Sequence, residues 1–364
     1  GRRGSPGGST AGNPAIAHPG LVTVSVMLAT IMQAVDTTIA NVALPHMQSA
    51  MGATQDQISW VLTSYIVAAA IFMLLTGYLS ARLGRKRLFM WSVVGFTIAS
   101  MLCGAAQSLT QLVAFRLLQG VFGACLVPLS QAVLLDINPR EKHGQAMAVW
   151  GMGVMIGPIL GPTLGGWLTD AYNWRWVFFI NVPVGAMALY GVWKYIPGLK
   201  APRKMRFDVF GFATLSIAIG ALQMLLDRGE QNDWFASRET WVEAVLLAIS
   251  FAYFIAHTAL RPAGQSFFDY RLLKNANYVT GLLFIAIVGM VLFATRALTP
   301  SMLQGLMGYP AALAGLVTAP SGLGTMVAML VVGKLVGKVD VRYLLTVGFA
   351  LTAFSLWQMS QYTL

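Results

Sequence analysis

The chain alternates long apolar runs with short polar, mostly basic stretches. A helix that crosses a bilayer needs about 20 apolar residues at 1.5 Å rise each. Eleven segments reach that length, at roughly 21–44, 57–80, 88–106, 109–135, 142–170, 174–195, 207–227, 240–261, 276–299, 308–333 and 341–360. The pattern therefore predicts an all-α, polytopic membrane protein. Residues 1–20 are rich in Gly, Pro and Ser and predict a disordered N-terminal tail. The first apolar segment is too long for a signal-peptide core and no small-residue cleavage site follows it, so it reads as a retained helix.

Composition agrees. Hydrophobic residues make up 57% of the 364 positions, charged residues only 10%, and mean hydropathy is +0.67. Soluble domains carry about 25% charged residues, so this chain cannot present a soluble surface. The net charge of +11 does not point to nucleic acid, because the cations sit in short clusters between apolar runs. Most of them, including Arg2, Arg3, Arg82, Arg85, Lys86, Arg87, Arg140, Lys142, Lys200, Arg203, Lys204 and Arg206, fall on one side if the N-terminus is cytoplasmic. Only Arg175, Arg228 and Arg238 then lie in outer loops. The positive-inside rule selects that orientation. Cys103 and Cys125 both lie within apolar runs and form neither a disulfide framework nor a metal spacing.

One charge interrupts the first span. Asp36 lies in the run Leu21 to Pro45, which has no other ionisable residue. A carboxylate near the centre of a membrane helix costs roughly 2.5–3.5 kcal/mol on insertion scales and usually meets a cation, a proton or a polar substrate. Counting from the outer ends of the spans puts Asp36 ~12 Å deep and Arg116, in the fourth span, ~10 Å deep. Asn181 in the sixth span reaches the same level, and Gln33 and Gln119 lie one turn further in. Together with Asn41 of the first span, these are the candidate proton-coupling and substrate residues. A static ion pair that fixes helix packing is the alternative. Arg296, Glu243 and His257 lie near helix ends and read as interfacial, while Asp136 and Asp208 sit at inner ends where loop contacts suffice.

An internal repeat appears at an offset of 256 residues. GYLSARLGRKRLF from Gly77 aligns with GKLVGKVDVRYLL from Gly333, and ALPHMQSAMG, ending at Gly52, matches LTPSMLQGLMG, ending at Gly308. The last three spans thus look like a second copy of the first three. This gives a six-helix bundle over 21–196, a linker with two inserted helices over 197–262, and the first half of a second bundle over 263–364. The second unit has three spans where the first has six, so the reading expects a C-terminal truncation.

Four patterns carry a family resemblance: VDTTIANVALP (Val35 to Pro45), G-x-L-x-x-R-x-G-R-K (Gly77 to Lys86), RLLQGVFGA from Arg116, and GMGVMIGPILGPTLGGWL from Gly151. NWRWVFFINVPVG (Asn173 to Gly185) and LDRGEQNDWF (Leu226 to Phe235) add to them. The chain resembles the major facilitator superfamily, specifically the fourteen-span drug:proton antiporters of the EmrB/QacA type. The resemblance implies the major facilitator fold with eleven of fourteen spans present. It implies proton-coupled multidrug efflux by alternating access across the bacterial inner membrane, with the helix 1 Asp and helix 4 Arg tied to proton coupling.

The Gly-rich pattern of the fifth span is linked by the resemblance to antiport. Gly153, Gly157, Gly161 and Gly165 form one small-residue stripe that lets another helix approach closely, and Pro158 and Pro162 predict bends. Generic tight packing is the plain alternative to a hinge or seal. Gly77, Arg82, Gly84 and Arg85 match the family's gate loop, but Ala81 stands where the family has an Asp, so the charge relay of that loop is incomplete.

The sequence predicts neither an enzyme nor a cofactor. GKLVGK from Gly333 lacks the spacing of a phosphate-binding loop, and His18, His46, His143 and His257 are scattered. The proton gradient is the energy source, and the partners are the lipid bilayer and amphipathic drugs. The resemblance further implies a periplasmic adaptor protein and an outer-membrane channel. The rival readings are a facilitator-fold importer or uniporter and a membrane protein that does not transport.

Overall fold

The computed structural model describes residues 18–198, 206–262, 265–309 and 311–361. Most of the expected tail, residues 1–17, and part of the linker, residues 199–205, lie outside the described residues. No strand occurs among the described residues, and the helices follow in order: α1 (Pro19–Met51), α2 (Gln55–Met73), α3 (Thr76–Leu83), α4 (Arg85–Ala105), α5 (Leu109–Gly123), α6 (Leu126–Ile137), α7 (His143–Ala171), α8 (Trp176–Phe179), α9 (Asn181–Tyr195), α10 (Val209–Arg228), α11 (Arg238–Leu260), α12 (Ala276–Gly305), α13 (Ala311–Leu335) and α14 (Val341–Met359).

Eight helical stretches among the described residues are long and apolar enough to cross a membrane, the last being α11. The α12, α13 and α14 helices occupy the positions of the last three expected spans, where the apolar stretches described are the shorter Ala276–Leu292 and Pro320–Leu335. Two spans are each built from two helices. The α5–α6 break falls at Ala124–Cys125, and Pro128 has no N–H for the Ala124 carbonyl. The α8–α9 break falls at Ile180, and Pro183 likewise leaves the Phe179 carbonyl without its helical donor.

The first nine helices pack as one bundle. α1 lies between α7 and α9, α2 runs along α5, and α4 contacts α5 and α9. Its apolar interior forms two clusters. One is centred on Val26, Phe89, Phe96 and Leu129, the other on Ile39, Met47, Leu112 and Phe178. Asp36 lies on α1 between these clusters. α10 and α11 pair with one another, α10 also leans on α2, and α13 packs along α7. The two glycines aligned by the repeat behave alike. Gly52 follows α1 with φ +60° and Gly308 follows α12 with φ +67°. This left-handed conformation suits glycine and closes helices.

Candidate functional site

Asp36, Arg116, Gln119 and Asn181 meet at the centre of the first bundle, all at least 98% buried. Arg116 Nη1 lies 2.8 Å from Asp36 Oδ2. Gln119 Nε2 and Asn181 Nδ2 both donate to Asp36 Oδ1, at 3.0 and 2.9 Å. The carboxylate thus accepts three hydrogen bonds from two helices that do not adjoin in sequence. The guanidinium is equally well held: Nη1 also donates to Gln119 Oε1 at 2.7 Å, and Nε to the Val61 carbonyl at 3.1 Å. Its face stacks on the Tyr65 ring, 4.3 Å from the centroid.

A further layer orients the first. Asn181 Nδ2 donates to Ser100 Oγ at 2.8 Å, and Ser100 Oγ donates to the Phe178 carbonyl at 2.7 Å. The α8–α9 break is therefore tied through Ser100 to the same network. Cys103 Sγ donates to Gln119 Oε1 at 3.7 Å. A charge pair this deep is stable only with its remaining hydrogen-bond capacity filled, and removing one partner of such a pair costs about 3–5 kcal/mol.

Two predicted members do not join. Asn41 is exposed and donates back to the Thr37 carbonyl of its own helix at 3.2 Å. At 100° per residue it points ~140° around α1 from Asp36, so it lies on another face. Gln33 is buried, but its Oε1 has no hydrogen-bond partner, and it makes no bond to Asp36. Ser100, Tyr65, Cys103 and the Val61 carbonyl were missed, since neutral groups in apolar helices give no signal that a charge gives.

The glycine stripe of α7 faces α1, the helix that carries Asp36. A Cβ on Gly157 would sit 2.6 Å from the backbone carbon of Ala34, and one on Gly165 2.8 Å from the Ile39 side chain. Gly153 and Gly161 are closed off in the same way by Met27 and Thr38. Thr38 Oγ1 also donates to the Gly157 carbonyl at 3.1 Å. The helix continues through Pro158 and Pro162. A separate edge of α7 meets α13, where Gly151 faces Met329, and Gly333 of α13 faces Ala148.

In the basic loop, Gly84 takes φ +85° and joins α3 to α4. Arg85 forms an ion pair with Asp136 at the end of α6. Asp136, at an inner helix end, is thus engaged by a residue of this basic loop. Arg82 Nη1 donates to the Tyr78 hydroxyl at 2.7 Å, and Gly77 has open space on its Cβ side.

Glu243 and His257, read as interfacial, are integrated into the fold instead, while Asp208 is held at its helix end partly by a loop contact. The Asp208 side chain is 3% exposed and accepts from His257 Nε2 at 2.8 Å and from the Gly211 and Phe267 N–H groups at 3.0 Å. Burial raises its carboxyl, but those donors outweigh it and hold the group below the ordinary carboxylate range. Glu243 is 5% exposed, and neither carboxylate oxygen has a hydrogen-bond partner. Of Arg296, only the backbone, within α12, is described.

The family model described as Major Facilitator Superfamily matches residues 26–363. The chain belongs to the Major Facilitator Superfamily. Among curated relatives it is 39% identical to the multidrug export protein EmrB of Escherichia coli K12 over 334 residues, 92% of this chain and 65% of that protein. It is 40% identical to the fatty acid resistance protein FarB of Neisseria gonorrhoeae over 339 residues, 92% of this chain and 66% of that protein. The chain thus spans just under two thirds of the length of these relatives. Among solved structures, the proton:xylose symporter XylE aligns with a TM-score of 0.57 at 13% identity, covering 87% of this chain and 69% of that one. That likeness reflects a shared superfamily fold. With eight membrane-length apolar helices among the described residues, this member of the superfamily is a multi-pass membrane protein.

Proposed function

We propose that this chain exports amphipathic, lipophilic or cationic compounds in exchange for protons, by alternating access across the bacterial inner membrane. The observation that carries the reading is the fully buried Asp36–Arg116 pair, where gain of a proton changes the charge balance of the interior. The multidrug export protein EmrB, similar over 92% of the chain, supports export of drugs, and the fatty acid resistance protein FarB, similar over the same share, supports a lipophilic range of compounds.

The chemistry follows from the contacts. A proton arriving at Asp36 neutralises the carboxylate and removes the counter-charge of Arg116. The guanidinium keeps the Val61 carbonyl, Gln119 Oε1 and the Tyr65 ring, so it stays solvated by protein while its grip on α1 is released. α1 is packed without slack on α7 through the glycine stripe, and α7 meets α13. A small movement of α1 therefore reaches the contact with the second bundle. Loss of the proton to the cytoplasm restores the pair. Such two-bundle rocking about a midplane site is the general mechanism of this transporter architecture.

In this reading the N-terminus is cytoplasmic, which puts the Arg85–Asp136 end of the bundle inside. The segments are a tail over 1–20, a six-span bundle over 21–196, an inserted pair with its linker over 197–262, and a second-bundle unit over 263–364. No cofactor is required. The substrate is held against the exposed Thr37–Asn41 face of α1, on the helix whose other side carries the buried Asp36 network. A periplasmic adaptor and an outer-membrane channel complete the route in a double-membrane cell.

The test is transport in inside-out vesicles that carry the chain. An imposed gradient, acid inside, drives accumulation of a fluorescent lipophilic cation if the reading holds, and collapse of the gradient by an uncoupler releases it. Uptake that runs only down the compound's own gradient, indifferent to the uncoupler, would assign the chain to uniporters instead.

A further inference from the structure

Proton exchange places a proton on Asp36, and that proton changes what the side chain must find around it. A charged carboxylate only accepts hydrogen bonds, whereas a protonated one also carries an O–H that has to donate. Each hydrogen-bond partner of Asp36 is a donor: Arg116 Nη1 at 2.8 Å, Gln119 Nε2 at 3.0 Å and Asn181 Nδ2 at 2.9 Å. These contacts suit the charged form and give the neutral form no acceptor. A buried O–H without an acceptor is costly.

The other acceptors of the network are in use. Gln119 Oε1 takes Arg116 Nη1 at 2.7 Å and Cys103 Sγ at 3.7 Å. The Val61 carbonyl takes Arg116 Nε at 3.1 Å. Ser100 Oγ accepts from Asn181 Nδ2 and donates to the Phe178 carbonyl. Turning the Gln119 amide around would set its NH2 group against Arg116, donor to donor. Turning Asn181 around would offer its carbonyl to Ser100 and draw that hydroxyl away from Phe178.

Gln33 Oε1 is a buried acceptor with no partner, on a residue only 8% exposed. Gln33 stands three residues before Asp36 on α1, a spacing that puts two side chains on one helix face. It lies on the inner side of Asp36, the direction in which the proton leaves. The Gln33 side chain also faces the Tyr65 hydroxyl, which has no partner either. That hydroxyl sits 3.0 Å from the Cβ position of Gly123, one turn inward of Gln119. The titratable groups that face Asp36 are Arg116 of α5, Tyr65 of α2 and Cys103 of α4. From α9 it meets Asn181, and α7 turns glycines toward α1.

We propose that Gln33 is the acceptor for protonated Asp36, a positioning residue that turns its carbonyl oxygen to the new O–H and so sets the proton affinity of the exchange site. The role rests on the exchange reading. No covalent bond changes at Gln33: the proton stays on Asp36 while Oε1 accepts from it, and the contact ends when the proton leaves for the cytoplasm.

The experiment is a pH titration of the full chain in lipid nanodiscs, followed by infrared difference spectroscopy at the C=O stretch of a protonated carboxylic acid. The band that disappears in Asp36→Asn belongs to Asp36. Gln33→Met keeps the side-chain length and leaves only a weak thioether acceptor, Gln33→Leu removes the acceptor, and Gln33→Asn keeps an amide carbonyl of shorter reach. Loss of one hydrogen bond to the neutral form lowers its proton affinity about tenfold. The titration midpoint should therefore fall by about one pH unit in Gln33→Met and Gln33→Leu, with Gln33→Asn between them and native. The band of protonated Asp36 should move to higher frequency in the same variants. A packing role alone would lower the unfolding midpoint without moving the titration. A native titration midpoint and band in both Gln33→Met and Gln33→Leu would overturn the proposal and leave the exchange reading standing. A downward shift in Tyr65→Phe with a native midpoint in Gln33→Leu would put the acceptor on the tyrosine and overturn it too. Absence of any Asp36-dependent band in the native chain would remove the exchange reading and this role with it.

Discussion

Asp36 and Glu243 are both carboxylates inside membrane-length helices, and their surroundings treat the charge in opposite ways. Asp36 accepts from Arg116, Gln119 and Asn181, and its cation is itself held by a backbone carbonyl and an aromatic ring. Glu243 has no hydrogen-bond donor, and the neighbouring Arg228 pairs with Asp56 and Glu239 while its Nη1 is left without a hydrogen-bond partner. The first arrangement stores a charge pair whose balance a proton can tip. The second leaves a buried carboxylate whose two oxygens have no hydrogen-bond donor. A buried charge therefore says little by itself; the ownership of its hydrogen bonds decides what it can do.

The largest effect should come from breaking the satisfied centre. Arg116→Ala strands the Asp36 charge and is expected to destabilise the bundle by about 3–5 kcal/mol, read as a fall in unfolding midpoint in detergent. An equally large loss in Glu243→Gln would erase the contrast between the two sites. Next in size, Gly157→Leu forces α7 away from the Ala34 backbone and should cost ~1–3 kcal/mol. Gly166→Leu, on the same helix but with nothing near its Cβ position, should leave the midpoint close to native. Equal behaviour of the two glycines would remove α1–α7 packing from the account.

Smaller effects sharpen the comparison. Glu243→Gln deletes a charge that no donor satisfies, so its stability should stay within ~1 kcal/mol of native or rise. The Arg85–Asp136 pair is about one-third exposed on each side, and Arg85→Ala should cost at most ~1 kcal/mol. At the Asp208 end of α10 the sign is set by a carboxyl held below its ordinary range. Its contribution is present above the unfolded value of ~3.9 and is lost only as pH falls through the lower folded value. Amide exchange at Gly211 and Phe267 should therefore remain slow at pH 5 in native protein and accelerate in Asp208→Asn at every pH.

Much of this is legible in the sequence. Helix counting in apolar runs located the elements, and the residue count from each helix end brought Asp36, Arg116 and Asn181 to one level. Gln119 followed from standing one turn beyond Arg116 on the same face. Asn41 did not, since depth along a helix carries no information on azimuth, and five residues turn it away from Asp36. Ser100, Tyr65 and the Val61 carbonyl are silent in sequence because neutral groups cost little in an apolar helix. Glu243 was misjudged for a related reason. Its place one turn into α11 suggested access to the interface, while the packing of α10 against that turn buries it. The glycine stripe announced close approach but not its partner, which is the helix that carries the central charge.

In the proposed exchange, a proton on Asp36 is what couples the two bundles. The direct measurement is proton movement on addition of a transported lipophilic cation to vesicles with no imposed gradient, in native chain and in Asp36→Asn. The native chain should exchange protons for substrate and alkalinise or acidify the lumen accordingly. Asp36→Asn should still bind the compound and move no protons. Native-sized, substrate-dependent proton flux in Asp36→Asn would contradict the account.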